Sequence, residues 1–326
     1  MRMRRLKIED ASTDCVYHCM SRVVAGEFLL NDKGKKTLCK QMWQMAEFCG
    51  VEILTYCIMS NHFHVLIRVP EKQQLKDGDL LSKVSKLYHE DDYELHVIKN
   101  IFSHGSEESI FKLREKLTAR MFDVSIFMKE VKQRFSIWYN KNHNRYGAFW
   151  ADRFKSVIVE GKRHSVEMVA AYIDLNPIRA GLVKDPKDYR YSGYGEAMAG
   201  VARSRKGLMK TVYEKEHWKK ALIDYRQILF GKGSVPQKAG QAIINGKLAK
   251  KVLNKNGKLS KTELLYCRIR YFSDGLIIGS KDFVQDCFEK NRECFSSCRE
   301  SGPRKMYGGN WGELTTLRDT RNASRA

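Results

Sequence analysis

The sequence predicts an α+β fold, an antiparallel sheet with helices on one face, and three observations support it. Residues 62–69 alternate between apolar side chains and a second set that contains two histidines, as in a strand with one buried face. Residues 51–58 form another apolar run, and the three residues between the runs are short enough for a hairpin turn. Apolar residues between Leu38 and Cys49 recur at helical spacing, and Gly50 is a plausible helix stop.

The other elements of the first half extend this start into a ferredoxin-like domain. A further strand at 15–22 gives the order β-α-β-β, the first two-thirds of that fold. The charged stretch 71–120 predicts a helical insertion or lid, and the apolar stripe of 121–139 predicts a long helix. A last strand is expected at 154–159.

The character of the sequence changes beyond about Gly200. The pattern there predicts a mainly α-helical, basic region, in which two short helices flank a turn at 273–275. Such a pair is either a helix-turn-helix-like DNA clamp or a small packing module. We therefore expect a catalytic domain at 1–200 containing the 71–120 insertion, a basic helical domain at 201–302 whose contact with DNA is left open, and a disordered tail at 303–326.

The composition is typical of a protein that binds nucleic acid. Lys and Arg number 59 against 38 acidic residues, which gives a formal charge of +21 over 326 residues. A polyanion is the natural partner, because phosphate binding releases counterions. The 9 cysteines form no regular framework, which favours a reduced, cytoplasmic protein. We expect no membrane span, because no stretch is long and apolar enough.

Two histidines on the strand at 62–69 are the first candidate site residues. His62 and His64 lie on the face opposite Phe63, which we expect to be the open face of the sheet, and residues at i and i+2 project in parallel. They can bind one cation, or they can be a satisfied polar pair. His18 lies on the first strand, where packing or a backbone hydrogen bond is expected rather than metal binding.

A tyrosine and an asparagine four residues apart complete the candidate site. Tyr172 and Asn176 share one face of a helix that we expect to begin near Ser165 and to end at Pro177. A tyrosine hydroxyl is a poor nucleophile at neutral pH without help. A divalent ion between His62, His64 and Asn176 would neutralise the charge that develops on a scissile phosphate.

Such a site would permit reversible cleavage of a phosphodiester. Attack by Tyr172 on a phosphodiester would leave a 5′-phosphotyrosine and a free 3′-hydroxyl. Because the covalent link conserves the bond energy, the reaction could reverse and join strands. Two imidazoles and an amide suit Mn²⁺ better than Mg²⁺, although cellular supply could favour Mg²⁺.

The motifs around His62 and Tyr172 resemble those of a known family. His62-Phe63-His64 is similar to the His-hydrophobe-His signature of HUH single-strand endonucleases. The wider stretches 59–64, 149–154 and 172–183 resemble the REP-associated tyrosine transposases, a group of the IS200-like single-tyrosine transposases. The resemblance covers roughly residues 12–195 without the insertion.

The resemblance implies a role for each candidate residue. It implies a ferredoxin-like domain, a divalent metal (Mg²⁺ or Mn²⁺), and cleavage and joining of single-stranded DNA beside palindromic hairpins. Tyr172 would be the nucleophile and His62 and His64 metal ligands. Asn176 would stand where the third ligand is expected. The insertion and the C-terminal region depart from compact members and leave the substrate and the choice between monomer and homodimer open.

Two other functions compete with this one. A histidine-triad nucleotide hydrolase would need a third alternate histidine, and position 66 is Leu66. A ferredoxin-like sheet with basic and aromatic residues could instead bind single-stranded DNA or RNA without cleaving it. Retention of two histidines, a tyrosine and an asparagine in matching places argues for catalysis.

Overall fold

A computed structural model describes residues 6, 8, 15–212, 217–230, 270–307 and 311–318. Within these ranges seven strands form one sheet in the order β2-β3-β1-β4-β5-β7-β6. All neighbouring strands in it run antiparallel except β4 and β5, which are parallel. The strands are β1 (Cys15–Arg22), β2 (Glu52–Ile58), β3 (His62–Val69), β4 (Lys155–Glu160), β5 (Ile277–Gly279), β6 (Arg304–Lys305) and β7 (Thr315–Leu317).

Helices surround this sheet, and three of them lie between β3 and the long helix. These three occupy the stretch expected to be a helical insertion. The helices are α1 (Asp32–Cys49), α2 (Asp77–Ser85), α3 (Tyr93–His104), α4 (Glu107–Thr118), α5 (Val124–Asn142), α6 (Arg163–Asp174), α7 (Asn176–Arg179), α8 (Gly193–Met198), α9 (Ala202–Thr211), α10 (Trp218–Phe230), α11 (Arg270–Asp274) and α12 (Lys281–Lys290). None of the helices in the described ranges could span a lipid bilayer.

The α+β class is confirmed, but helices cover both faces of the sheet rather than one. On one face, Trp43 of α1 packs edge-on against Tyr56 of β2, with ring centroids 6.3 Å apart. On the other face, Asp174 of α6 accepts a 2.8 Å hydrogen bond from Thr55. Thr55 is the strand partner of Leu66, so α6 covers the face that carries the histidines. The expectation that this face is open was wrong.

Local sequence signals fix the ends of the helices that pack on the Phe63 face. The Asn31 side chain accepts the Gly34 N–H at the start of α1. Gly50 ends α1 in the left-handed conformation, with φ of 67°. A Cβ at Gly50 would lie 2.8 Å from the ring of Phe122, so this position excludes a side chain for two separate reasons. Asp123 caps α5 through the N–H of Ser125 and of the residue after it.

The C-terminal region shares the sheet and the core with the first half. Strand β5 pairs in parallel with β4, and β7 pairs with β5. Residues 304–305 and 315–317 therefore belong to the sheet, although we expected a disordered tail there. Residues 273–274 belong to α11, and strand β5 lies between α11 and α12, so the expected pair of helices flanking a turn at 273–275 is wrong. A stretch of three residues is too short for alternation to reveal a strand.

Some element boundaries also differ from those expected. In the region expected to be helical beyond about Gly200, helix α9 already begins at Ala202, and α10 covers 218–230. Helix α6 begins at Arg163, so Ser165 lies inside it rather than at its N-cap. Pro177 occupies the first turn of α7, the position where proline is tolerated. Residues 231–269 of the expected helical region lie outside the described residues.

Candidate active site

The sheet places three imidazoles and one phenol ring together between β1, β3 and α6. The ring centroids of His62 and His64 are 5.1 Å apart. Those of His18 and His64 are also 5.1 Å apart. Tyr172 on α6 lies over this group, with its ring centroid 6.3 Å from both His18 and His64. The structure thus brings together the sequence-predicted histidines and the sequence-predicted tyrosine.

His62 is held at the mouth of the site by the loop that precedes it. Its Nδ1 lies 2.6 Å from Oδ1 of Asn61, and Nδ2 of Asn61 donates to the carbonyl of Gly26. A carbonyl only accepts, so the amide oxygen of Asn61 faces His62 and Nδ1 of His62 must carry the proton. In the neutral form of His62 the lone pair is then on Nε2.

His64 is buried, with 5% of its surface exposed. Its Nδ1 lies 2.9 Å from Nε2 of His18, whose own Nδ1 lies 2.9 Å from the carbonyl oxygen of Phe272. Burial is the main reason why the pKa of His64 falls well below its usual range, and His18, His62 and Arg179 lower it further. Burial likewise lowers the pKa of His18 to about 4. Both rings are therefore neutral at pH 7.

Tyr172 is 3% exposed, and its ring contacts an arginine and a phenylalanine. The guanidinium carbon of Arg179 lies 4.1 Å from the centroid of the tyrosine ring, and Nη2 of Arg179 donates to the Tyr172 carbonyl. The ring of Phe272 packs edge-on against Tyr172, with centroids 5.1 Å apart.

Asn176 begins helix α7 and is largely buried. Its Nδ2 donates to the carbonyl oxygens of Tyr172 (3.3 Å) and Ile173 (2.9 Å). The amide nitrogen is thereby engaged with the end of α6, which leaves Oδ1 as the atom that could accept or ligate. In the described part of the chain no hydrogen bond joins Asn176 to His62 or His64, so its role as third ligand stays a prediction.

The donor set suits a divalent ion. Neutral imidazoles ligate through a nitrogen lone pair, and an amide oxygen is a common further ligand. Among the described residues no group of three or more His, Cys, Asp or Glu side chains could hold a metal ion. The residues that could hold an ion here are His62, His64 and the amide of Asn176, with water or a substrate completing the ligand set.

A buried carboxyl ties the tyrosine helix to the C-terminal half. Asp174 accepts hydrogen bonds from Thr55 of β2 (2.8 Å) and from the hydroxyl of Tyr225 of α10 (2.5 Å). Burial raises the pKa of Asp174 to about 7, although both hydroxyls act in the opposite direction. Asp174 is two residues from Tyr172, so this contact sets where α6 ends relative to the sheet.

Sequence reasoning missed three contributors to the site. Phe272 and Arg179 contact Tyr172, and Asn61 orients His62. Asn61 and Arg179 stand inside the motifs that carried the resemblance, and these motifs could have identified them. No motif in the sequence around Phe272 indicated that this residue contributes to the site. The expected backbone hydrogen bond of His18 is confirmed.

Comparison with known proteins supports the resemblance for part of the chain. Residues 11–101 match the family model described as "Transposase IS200 like", which confirms the resemblance over a stretch that includes His62 and His64 but not Tyr172. No curated protein matches the chain. A solved structure, "Structure of the REP associates tyrosine transposase bound to a REP hairpin", is 15% identical with a TM-score of 0.36, over 61% of this chain and 86% of that one.

Proposed function

We propose that this protein is a metal-dependent single-strand DNA endonuclease and strand transferase, a transposase that works through a 5′-phosphotyrosine. One observation carries the proposal: His62, His64 and Tyr172 converge in one site, with the tyrosine ring 6.3 Å from His64. A net charge of +21 supports a nucleic acid as substrate. The IS200-like match over residues 11–101 supports the same class of reaction.

In the proposed reaction the hydroxyl oxygen of Tyr172 attacks the scissile phosphorus. The bond between phosphorus and the 3′ oxygen breaks, and the phosphate becomes a 5′ ester of the tyrosine. The proton that the phenol loses balances the proton that the leaving 3′ oxygen takes up. Arg179, beside the tyrosine ring, stabilises the negative charge on the attacking oxygen. A divalent ion on His62 and His64 would supply charge neutralisation at the phosphate. Reversal of the step joins the phosphate to a new 3′-hydroxyl.

The substrate that we propose is DNA beside a hairpin. This part of the proposal comes from the motif resemblance to transposases that act at palindromic hairpins. The REP-associated tyrosine transposase of known structure is itself bound to a REP hairpin.

A second candidate function is binding of single-stranded DNA or RNA without cleavage. The burial of Tyr172, 3% exposed beneath Phe272, favours it, because a nucleophile must reach its phosphate. Both candidates predict binding to a labelled hairpin with a single-stranded flank. Only the endonuclease predicts a covalent product.

The test is a denaturing gel of protein incubated with end-labelled hairpin DNA and Mn²⁺. The proposed enzyme gives a labelled band at the size of the protein, and Tyr172→Phe abolishes this band while leaving hairpin binding nearly unchanged. Binding by both proteins with no covalent band in either, in Mn²⁺ or Mg²⁺, would establish the non-catalytic function instead.

A further inference from the structure

We propose that His18 and the main-chain carbonyl of Phe272 are positioning groups that fix His64 in the tautomer needed to bind a metal ion. This role deepens the proposed function and rests on it for the presence of the metal. The hydrogen bonds that support this role join protein atoms only and do not require the metal. They form a chain of two contacts, each 2.9 Å long, from Phe272 to His18 and from His18 to His64.

The direction of the first contact is fixed by its acceptor. A carbonyl oxygen can only accept, so Nδ1 of His18 must carry a proton. The His18 ring is fully buried, and in its neutral form the proton on Nδ1 leaves the lone pair on Nε2, the atom that faces His64. Nε2 of His18 therefore has a lone pair and accepts.

The direction of the second contact follows from the first. Because Nε2 of His18 accepts, Nδ1 of His64 must be the donor. A neutral His64 with its proton on Nδ1 has its lone pair on Nε2. In the described part of the chain the structure gives this Nε2 no hydrogen-bond partner. His64 is thus held in the form that ligates through Nε2.

His62 reaches the same tautomer through different residues. The position of its proton is set by Asn61, whose amide is oriented by the carbonyl of Gly26. Each of the two histidines therefore has its own backbone carbonyl as the end of a hydrogen-bond chain. Groups that hydrogen-bond the second nitrogen of a ligating histidine fix its tautomer and orientation. Both candidate ligands are therefore oriented in the same way, each by its own hydrogen-bond chain.

The C-terminal region thereby has a place in the active site. Residues 18 and 272 are separated by 254 positions, and the carbonyl of Phe272 belongs to helix α11. Strand β5 follows directly and is anchored by its parallel pairing with β4. The C-terminal segment therefore acts on the metal site through a main-chain atom, without supplying a ligand.

Two substitutions at His18 separate this role from simple packing. In His18→Gln the amide can donate from Nε2 to the Phe272 carbonyl and accept at Oε1 from His64, so both contacts can be kept. In His18→Leu a side chain of similar size keeps neither. His104→Leu, on the surface of α3, serves as a control for loss of a histidine, and Phe272→Leu keeps the carbonyl while changing the ring.

The first measurement is made on the full-length, metal-free protein labelled with ¹⁵N at histidine. Long-range ¹H–¹⁵N correlation spectra distinguish the two tautomers, and the His64 signals are identified by their loss in His64→Gln. We expect His64 to carry its proton on Nδ1 in the wild type, His18→Gln and Phe272→Leu, and to lose this single form in His18→Leu. A wild-type His64 protonated on Nε2 would overturn the inference, whether or not His18→Leu folds.

The second measurement is Mn²⁺ affinity by titration calorimetry in the absence of DNA. His18→Leu should bind Mn²⁺ about 10–100-fold more weakly than wild type, the usual effect of losing such a supporting contact. His18→Gln and His104→Leu should stay within a few-fold. Folded His18→Leu with wild-type affinity would overturn the inference. If His64 has the expected tautomer but no DNA adduct ever forms, the proposed function fails and the positioning by His18 stands.

Discussion

Replacing Asp174 by asparagine tests the buried network that joins helix α10 to the helix that carries Tyr172. Asp174 is fully buried and accepts from the hydroxyls of Thr55 and Tyr225. Asparagine keeps the shape of the side chain, and either hydroxyl can reverse to accept from its amide nitrogen. The substitution therefore removes the titration while keeping both partners.

The size of the effect follows from the pKa of Asp174. Each pKa unit corresponds to about 1.4 kcal/mol, so raising the pKa from 3.8 to about 7 corresponds to about 4 kcal/mol. Because the folded-state pKa is raised, the contribution of Asp174 to stability is fully present below pH 3.8 and is lost as the pH rises through about 7. At pH 8 the protein carries the full cost of a buried carboxylate.

The assay is urea unfolding of wild type and Asp174→Asn between pH 4 and pH 8. The free energy of unfolding of each protein also depends on the titration of His18. Because the pKa of His18 is lowered, its contribution to stability is present above pH 6.5 and is lost as the pH falls through about 4. The difference between the two proteins cancels that effect. We expect the stability of Asp174→Asn relative to wild type to rise by about 4 kcal/mol from pH 4 to pH 8. A difference that stays constant with pH would refute a raised pKa at Asp174.

The remaining predictions concern packing and ligand loss, and urea unfolding measures each change in stability. Phe63→Ala should cost about 3–5 kcal/mol, because the ring is fully buried against Trp150; a loss below 1 kcal/mol would contradict that burial. His62→Ala should cost little stability, because His62 is half-buried, yet it should lose Mn²⁺ binding in calorimetry; intact Mn²⁺ binding would remove His62 from the ligand set. Gly50→Ala should cost about 1–2 kcal/mol from its left-handed backbone alone, and contact with Phe122 adds to this; unchanged stability would mean that the turn relaxes freely.

The sheet and the site could be predicted from the sequence where the signal is local. The alternation of residues 62–69 predicted that Phe63 and His64 lie on opposite faces of the sheet. The observed register of β3 with β2 confirms this. The spacing of Tyr172 and Asn176 likewise predicted neighbours, and the amide of Asn176 does bond the Tyr172 carbonyl. Local periodicity reports which side chains share a face, because strand and helix geometry determine it.

What could not be predicted depends on contacts between distant parts of the chain. The alternating pattern of β3 predicts that His64 and Phe63 face opposite ways. It does not predict that α6 covers the histidine face and buries His64. The contact of Phe272 with Tyr172 joins positions a hundred residues apart, and no local pattern encodes it. The expected catalytic domain at 1–200 therefore does not contain the whole site, since Phe272 of the C-terminal region packs on the proposed nucleophile.

The most direct test of the proposed chemistry locates the DNA on the protein. The covalent product formed with hairpin DNA and Mn²⁺ is digested with nuclease and protease, and mass spectrometry identifies the residue that carries the remaining nucleotide. The proposed mechanism predicts a 5′-linked nucleotide on Tyr172. A nucleotide on Tyr139, which is buried against His143, or on Tyr146, which is 88% exposed, would contradict the assignment of the site.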